Sequence, residues 1–187
     1  MQVSMQDNYY NALEELLKAS VKGKNILVMG THPDRDIKAL YFRINGNMTI
    51  IEPVLSFVKE FRKNTKAKVI HADWESFNIE KFDTVVCLDC IEHSKRPYSI
   101  LDRIAEASDR IILSCPNGFW NFMDGNKNVD HGHGPHVSHF SVKELKDFFK
   151  VNGFDVKIQG ILHPRLMRGF LSMGIFLVAT KKEDGKK

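Results

Sequence analysis

The chain has 187 residues, of which 43% are hydrophobic, and a formal net charge of +4. We expect one domain spanning residues 1–187. No stretch reaches the roughly 18 apolar residues of a membrane span. The small positive charge is only weak evidence for a nucleic-acid partner, and none is expected. The N-terminus resembles no export signal, and the chain has an odd number of cysteines, Cys87, Cys90 and Cys115, so we expect a reducing, cytoplasmic location. Cys87 and Cys90 form a C-x-x-C pair that we interpret as structural.

Strand and helix patterns alternate along the chain. Apolar runs rich in β-branched residues predict buried strands, and apolar residues at helical spacing predict amphipathic helices. Strands are predicted at residues 25–30, 48–52, 67–72, 84–88, 110–114, 156–161 and 175–179. Helices are predicted within residues 1–23, from Pro33 through Tyr41, at 54–63, at 98–107, and after a capping box at Ser141–Glu144. The alternation predicts an α/β fold.

Two segments lie outside this alternation. Residues 119–140 have no periodicity but contain Trp120, several glycines and four histidines, which favours a functional loop that covers an acceptor molecule. Four imidazoles and a carboxylate between Asp130 and His139 would also suit zinc or nickel, but their spacing is not a standard one, so no metal site is expected. Residues 181–187 are expected to form a flexible, solvated tail.

The first four strands each end near a glycine or a carboxylate. Right-handed crossovers would bring Gly30, Glu52, Asp73 and Asp89 to one rim, where open α/β sheets bind their ligands. A carboxylate about 20 residues after the first glycine suits a ribose diol. The turn after Gly30 lacks the further glycines that a pyrophosphate needs, so dinucleotide binding is disfavoured. A nucleoside ligand with a diol and a cationic centre fits this rim better.

The central strand ends in Asp89, Glu92 and His93. These residues either face the ligand crevice or cap a following helix, with Asp89 and Glu92 as the two members of a capping box. Both interpretations are compatible, since a carboxylate can cap a helix and still face a ligand.

Three sequence motifs are each weak evidence alone but are fairly specific in combination. They are Phe82-Asp-Thr-Val-Val-Cys-Leu-Asp-Cys-Ile-Glu-His93, the strand Ile111–Ser114 with Pro116-Asn117, and His139-Phe-Ser before a helix that ends at Asn152-Gly-Phe154. With them, residues 24–180 resemble the class I S-adenosylmethionine-dependent methyltransferases, particularly the small-molecule and lipid or glycan branch related to ubiquinone-biosynthesis enzymes. The resemblance implies a Rossmann-like three-layer sandwich whose seven-stranded, mostly parallel sheet has an antiparallel last strand. It also implies methyl transfer from S-adenosylmethionine to a small-molecule, lipid or glycan-precursor acceptor.

Matched position by position, the resemblance implies one set of residues that binds the cofactor and another that binds the acceptor. The implied cofactor-binding residues are Gly30, Thr31, His32, Glu52 for the ribose, Asp73 and Trp74 for the adenine, and Asp89 for the methionine amino group. The implied substrate-binding residues are Glu92, Asn117, Trp120 and His136. His139 and His93 are the candidate catalytic bases, because an imidazole titrates near neutral pH. A loop or capping role without catalysis remains open for both histidines.

The first motif departs from the family pattern. Val28 stands where family members usually carry an acidic residue, and His32 and Asp34 stand at the second and third glycine positions. Either the turn is rebuilt, with Thr31, His32 or Arg35 meeting the methionine carboxylate, or the chain is a non-catalytic methyltransferase-like module that serves as a partner or regulator. We adopt the first interpretation, because the carboxylates at the next three strand ends remain. The acceptor, the methylated atom and the oligomeric state are not predicted.

Overall fold

The computed structural model describes residues 15–30, 47–78, 80–116, 134–162 and 173–183. Within the first range, residues 15–20 are helical, which confirms the end of the predicted N-terminal helix. The helix predicted from Pro33 through Tyr41 lies outside the described residues. None of the helices in the described ranges has the length and apolar character that a membrane crossing requires.

Seven strands form one mixed sheet. In chain order they are β1 (Asn25–Met29), β2 (Asn47–Glu52), β3 (Lys68–His71), β4 (Thr84–Leu88), β5 (Arg110–Pro116), β6 (Phe154–Leu162) and β7 (Met173–Lys181). Their order across the sheet is β3-β2-β1-β4-β5-β7-β6. The first five strands are parallel, and β7 runs antiparallel to both β5 and β6. The predicted seven-stranded sheet with an antiparallel last strand is therefore confirmed.

Besides the helical residues 15–20, three α-helices accompany the sheet in the described residues: α1 (Leu55–Asn64), α2 (Pro97–Ala107) and α3 (Val142–Val151). Ser141 and Glu144 form the predicted capping box at the start of α3: the Glu144 N–H donates to Ser141 Oγ, and the Ser141 N–H donates to a Glu144 carboxylate oxygen. These contacts satisfy backbone donors that have no partner inside the helix. The predicted helix start is therefore confirmed.

The strands are buried on both faces because side chains alternate between two hydrophobic cores. Leu27 and Met29 of β1 join the core that includes α2 and α3, whereas Ile26 and Val28 join the core that includes α1 and the N-terminal helical segment. The same alternation holds in β4. The result is the predicted three-layer sandwich.

All three cysteines are free and buried, and they pack in the core on the α2 and α3 side. Cys87 and Cys90 are fully buried, with their sulfur atoms 2.9 Å apart. Burial raises the pKa of the Cys90 thiol well above its ordinary value. These features agree with the structural interpretation of the C-x-x-C pair.

The predicted tail is wrong at its first residue. Lys181 belongs to β7 and pairs with Phe154 of β6. Its Nζ atom lies 4.6 Å from the centre of the Phe154 ring and donates a hydrogen bond of 3.1 Å to the Asn152 carbonyl. Ladder pairing and the cation–π contact hold this lysine in the sheet although its charge predicted a solvated tail. Residues 184–187 lie outside the described residues.

Candidate functional site

The register of the parallel strands aligns their carboxyl ends. Met29 of β1 is level with Ile51 of β2 and with Cys87 of β4. Glu52 is level with His71 of β3. Gly30, Glu52, Asp73 and Asp89 follow or end these strands, so they lie at one edge of the sheet as the sequence predicts.

Gly30 directly follows β1, at a point where the turn after β1 and the turn after β4 are in close contact. Its φ is +73°, and a Cβ atom at this position would lie 2.2 Å from the Leu88 carbonyl oxygen and 2.3 Å from Cys90 Cβ. Both distances are far below a normal van der Waals contact. The turn after β1 can therefore pack against the turn after β4 only with glycine at this position.

Glu52 is fully buried at the end of β2. Its Oε1 atom accepts a hydrogen bond of 2.7 Å from the Val54 N–H, which orients the carboxylate at the start of α1. The Trp74 indole, 5% exposed, packs in the core and donates from Nε1 to the Ile51 carbonyl over 3.0 Å. The turn after β3 is thereby fixed to the end of β2.

Asp73 begins this turn and is exposed to solvent. Its Oδ1 atom accepts from the Glu75 N–H over 2.8 Å, and its carbonyl accepts from the N–H groups of Ser76 and Phe77. A hydrogen bond between an aspartate side chain and the backbone N–H two residues on is a common feature of turns. The site therefore has an exposed acidic group at the end of β3.

Asp89 is exposed at the end of β4 and has a φ of +43°. Its Oδ1 atom accepts a hydrogen bond of 2.9 Å from the Ser114 hydroxyl, and its N–H donates to the Ser114 carbonyl over 3.0 Å. A positive φ is uncommon for a residue other than glycine, and aspartate is among the residues that tolerate it best. Ser114 thus holds Asp89 in this conformation.

The interpretation of Asp89 and Glu92 as a helix capping box is wrong. Residues Ile91–His93 form a single 3-10 turn whose N-cap is Cys90, without a side-chain capping bond. The turn directs the Glu92 side chain inward, where it is 1% exposed. Burial raises the pKa of the Glu92 carboxyl well above its ordinary value, and the charge of Asp89 raises it further.

His93 and His136 lie beside Glu92. Their ring centres are 4.8 Å apart and the rings are inclined by 73°. One possible ligand atom from each of Glu92, His93 and His136 lies within 4.8 Å of the other two. Both histidines are partly buried, whereas His139 is exposed. The structure thus places one candidate base, His93, with the buried carboxylate and the other, His139, at the surface.

Backbone hydrogen bonds bring His136 to the 3-10 turn. The N–H groups of Val137 and Ser138 donate to the Glu92 carbonyl over 2.8 and 3.0 Å. The Ser138 hydroxyl donates to the Ser94 carbonyl over 2.8 Å. Residues 136–138, at the end of the predicted loop 119–140, are therefore tied to the 3-10 turn after β4 by two backbone hydrogen bonds and one from the Ser138 hydroxyl.

A family model described as methionine biosynthesis protein MetW matches residues 62–144. This range includes the described edge of the site from Asp73 to His139. A comparison with curated proteins gave no match.

Several solved structures share the fold over almost the whole chain. Magnesium protoporphyrin IX methyltransferase (ChlM) from Synechocystis PCC 6803 with bound SAH has a TM-score of 0.69 at 14% identity, over 97% of this chain and 90% of its own. The N-terminal domain of EvdMO1 with SAH bound has a TM-score of 0.68 at 17% identity, over 93% of this chain and 81% of its own. The methyltransferase domain of bacterial CtHen1-C has a TM-score of 0.69 at 16% identity, over 94% of this chain and 99% of its own.

The chain has the class I S-adenosylmethionine-dependent methyltransferase fold. In this methyltransferase fold the sheet edge described above carries the glycine and the three carboxylates that the sequence singled out. Thr31, His32, Asn117 and Trp120, which the sequence also predicts as site residues, lie outside the described residues.

The sequence analysis missed two polar residues, Ser114 and Glu75, whose hydrogen bonds hold the turns at this edge of the sheet. Ser114 could have been found, because it too is a polar residue near the end of a buried strand. Glu75 has no such signal: its carboxylate accepts from the Ser94 hydroxyl and from the Arg96 N–H, which joins the turn after β3 to the 3-10 turn. This contact links segments that are distant in the sequence.

Proposed function

We propose that the chain is an enzyme that binds S-adenosylmethionine at the carboxyl edge of its sheet and methylates a small-molecule, lipid or glycan-precursor acceptor. One observation carries the proposal: Glu52 ends β2, Asp73 and Asp89 follow β3 and β4, and all three lie on the edge of the sheet where Gly30 follows β1. Relatives of the same fold have been crystallised with SAH or SAM, which supports the same ligand class here.

The chemistry of the donor set fits this ligand. A carboxylate has two acceptor oxygens for the two hydroxyls of a ribose, and Glu52 is held at the strand end by Val54. Asp73 and Asp89 supply exposed negative charge on the same edge of the sheet, which favours a ligand with amino groups and a cationic centre. Glu52 would bind the ribose, Asp73 the adenine amino group and Asp89 the methionine amino group.

S-adenosylmethionine supplies a methyl group that is already activated by its sulfonium. The protein therefore has to position the acceptor, exclude water and, for a protonated acceptor, remove a proton. His139 is proposed as that base because it is exposed at the acceptor side, and His93 is the second candidate. Glu92 and His136 would line the same side.

Calorimetric titration with S-adenosylmethionine and S-adenosylhomocysteine tests the proposal. We expect micromolar binding of one ligand per chain, and we expect Glu52→Gln to weaken it by about tenfold or more, because the charged acceptor is lost. Glu106→Gln is the matched control, since Glu106 lies on α2, away from the edge.

Absence of binding by a folded sample would favour the non-catalytic module, in which the altered turn after Gly30 has abolished cofactor binding. Unchanged affinity in Glu52→Gln would remove Glu52 from the proposed site. Unfolding curves of both variants, recorded on the same preparations, would show whether a loss of affinity reflects a loss of folding.

A further inference from the structure

Among the described residues, none forms a hydrogen bond with the buried Glu92 carboxyl group. The residue is 1% exposed, and neither carboxylate oxygen accepts or donates a hydrogen bond within the described part of the chain. Buried polar groups are nearly always satisfied, because an unsatisfied carboxylate loses its hydration without compensation. The position of Glu92 therefore suits a group that is supplied from outside the polypeptide.

Two imidazoles face this carboxyl group. Ligand atoms of His93 and His136 lie within 4.8 Å of each other and of a Glu92 oxygen. The contact is fixed by the main chain, since the Val137 and Ser138 N–H groups bond the Glu92 carbonyl. Two histidines and one carboxylate form a common ligand set for zinc and other divalent transition metals, and they leave coordination positions open.

We propose that Glu92, His93 and His136 bind one divalent transition-metal ion. Ligand atoms bound to one zinc ion at about 2.0–2.2 Å are separated by about 3–3.5 Å, so the three side chains need to approach by only about 1–2 Å. The ion would satisfy the buried Glu92 carboxylate. It would connect the end of β4 to the segment that contains His136.

The proposed ion lies at the acceptor side of the proposed methyltransferase site. Its open positions suit an oxygen donor, so the favoured acceptor is one that carries a hydroxyl group. This acceptor class rests on the proposed methyl transfer, whereas metal binding does not. The two can therefore be tested separately.

The loop set considered in the sequence analysis, four imidazoles and a carboxylate between Asp130 and His139, would form a different metal site. The proposed site uses only His136 from that loop and takes its other ligands from the 3-10 turn after β4. His131 and His133 lie outside the described residues. Variants of these two histidines distinguish the two arrangements.

The test uses the full chain purified without a histidine tag and treated with a chelator. Zinc(II) is titrated against a competing chromophoric chelator, and cobalt(II) is added separately to record its absorption spectrum. We expect one zinc ion to bind per chain. We also expect bound cobalt(II) to have an absorption spectrum typical of imidazole and carboxylate coordination. Glu92→Gln and His136→Ala should each weaken zinc binding by at least about tenfold, because each removes a direct ligand.

His71→Ala is the matched histidine control, because His71 is exposed on β3 and lies outside the cluster. It should bind zinc like the original chain. The proposal is overturned if the folded chain binds no zinc, if Glu92→Gln and His136→Ala bind it unchanged, or if binding is lost only in His131→Ala/His133→Ala. Glu92→Gln removes a buried ionisable group, so folding of this variant is expected and is checked by circular dichroism.

Titration of the same samples with S-adenosylmethionine separates the two proposals. Zinc binding without cofactor binding would refute the proposed methyl transfer and support the metal site. Cofactor binding without zinc binding would refute the metal site and support the proposed function.

Discussion

The Ser114 hydroxyl donates to Oδ1 of Asp89 over 2.9 Å while the Asp89 N–H donates to the Ser114 carbonyl over 3.0 Å. This reciprocal pair joins the carboxyl ends of β4 and β5 and holds Asp89 at a φ of +43°. The proposed ligand of the methionine amino group is therefore oriented by a residue on the neighbouring strand.

Ser114→Ala should weaken S-adenosylmethionine binding by about fivefold. The hydrogen bond that orients the carboxylate contributes on the order of 1 kcal/mol, and its loss lets the Asp89 side chain rotate. Asp89→Asn keeps an acceptor atom but removes the charge. Calorimetry on both single variants and on the double variant gives the coupling between the two positions. Strictly additive losses would mean that Ser114 does not act through Asp89.

Gly30→Ala should destabilise the protein by more than about 2 kcal/mol, because it combines a positive φ with a backbone collision. Gly134 is the matched control: its φ is +87°, but a Cβ atom at that position would meet no described heavy atom within 4 Å. Gly134→Ala should lower the free energy of unfolding by only about 1 kcal/mol, the cost of placing alanine at a positive φ. Urea unfolding of the two variants measures the difference. Equal losses would show that the contact between Gly30 and the turn after β4 is not tight.

Ser141→Ala should lower the free energy of unfolding by about 1 kcal/mol at neutral pH, because it removes the N-cap of α3. Hydrogen bonds from the Ser141 hydroxyl and N–H lower the pKa of Glu144 below its ordinary value of 4.5. The folded state therefore favours ionised Glu144.

This stabilisation is fully present above pH 4.5, the ordinary pKa of Glu144, and is lost as the pH falls through the lower pKa of the folded state. The difference in stability between the original chain and Glu144→Ala should accordingly shrink on acidification. Urea unfolding from pH 7 to pH 3 tests this. A difference that grows toward low pH would contradict the assigned direction.

His139→Ala should reduce methyl transfer to a hydroxyl acceptor by about 100-fold or more at neutral pH while cofactor affinity stays unchanged. The comparison uses an acceptor identified by screening for transfer from labelled S-adenosylmethionine, and His71→Ala serves as the control. Turnover that survives in His139→Ala but falls in His93→Ala would move the base to His93. If both His139→Ala and His93→Ala keep their turnover, neither histidine is the catalytic base.

The sequence alone determined the parts of the structure that depend on local periodicity. The apolar run Thr84–Leu88 forms β4 with these same bounds, because five consecutive apolar or β-branched residues suit a strand buried on both faces. The capping box at Ser141 was also predicted, because both of its members lie within one helical turn. The edge that carries Glu52 and Asp89 followed from the rule that parallel strands align their carboxyl ends.

Only the tertiary structure decided which distant residues meet. His136 lies in a stretch without periodicity, so nothing in its neighbourhood indicates that it contacts Glu92 and His93. That contact depends on hydrogen bonds from Val137 and Ser138 to a carbonyl in another segment. The burial of Glu92 is likewise a tertiary property, because it depends on how the 3-10 turn after β4 packs against other segments of the chain. Local patterns specify strands and helices, whereas contacts between separate segments depend on how those elements pack.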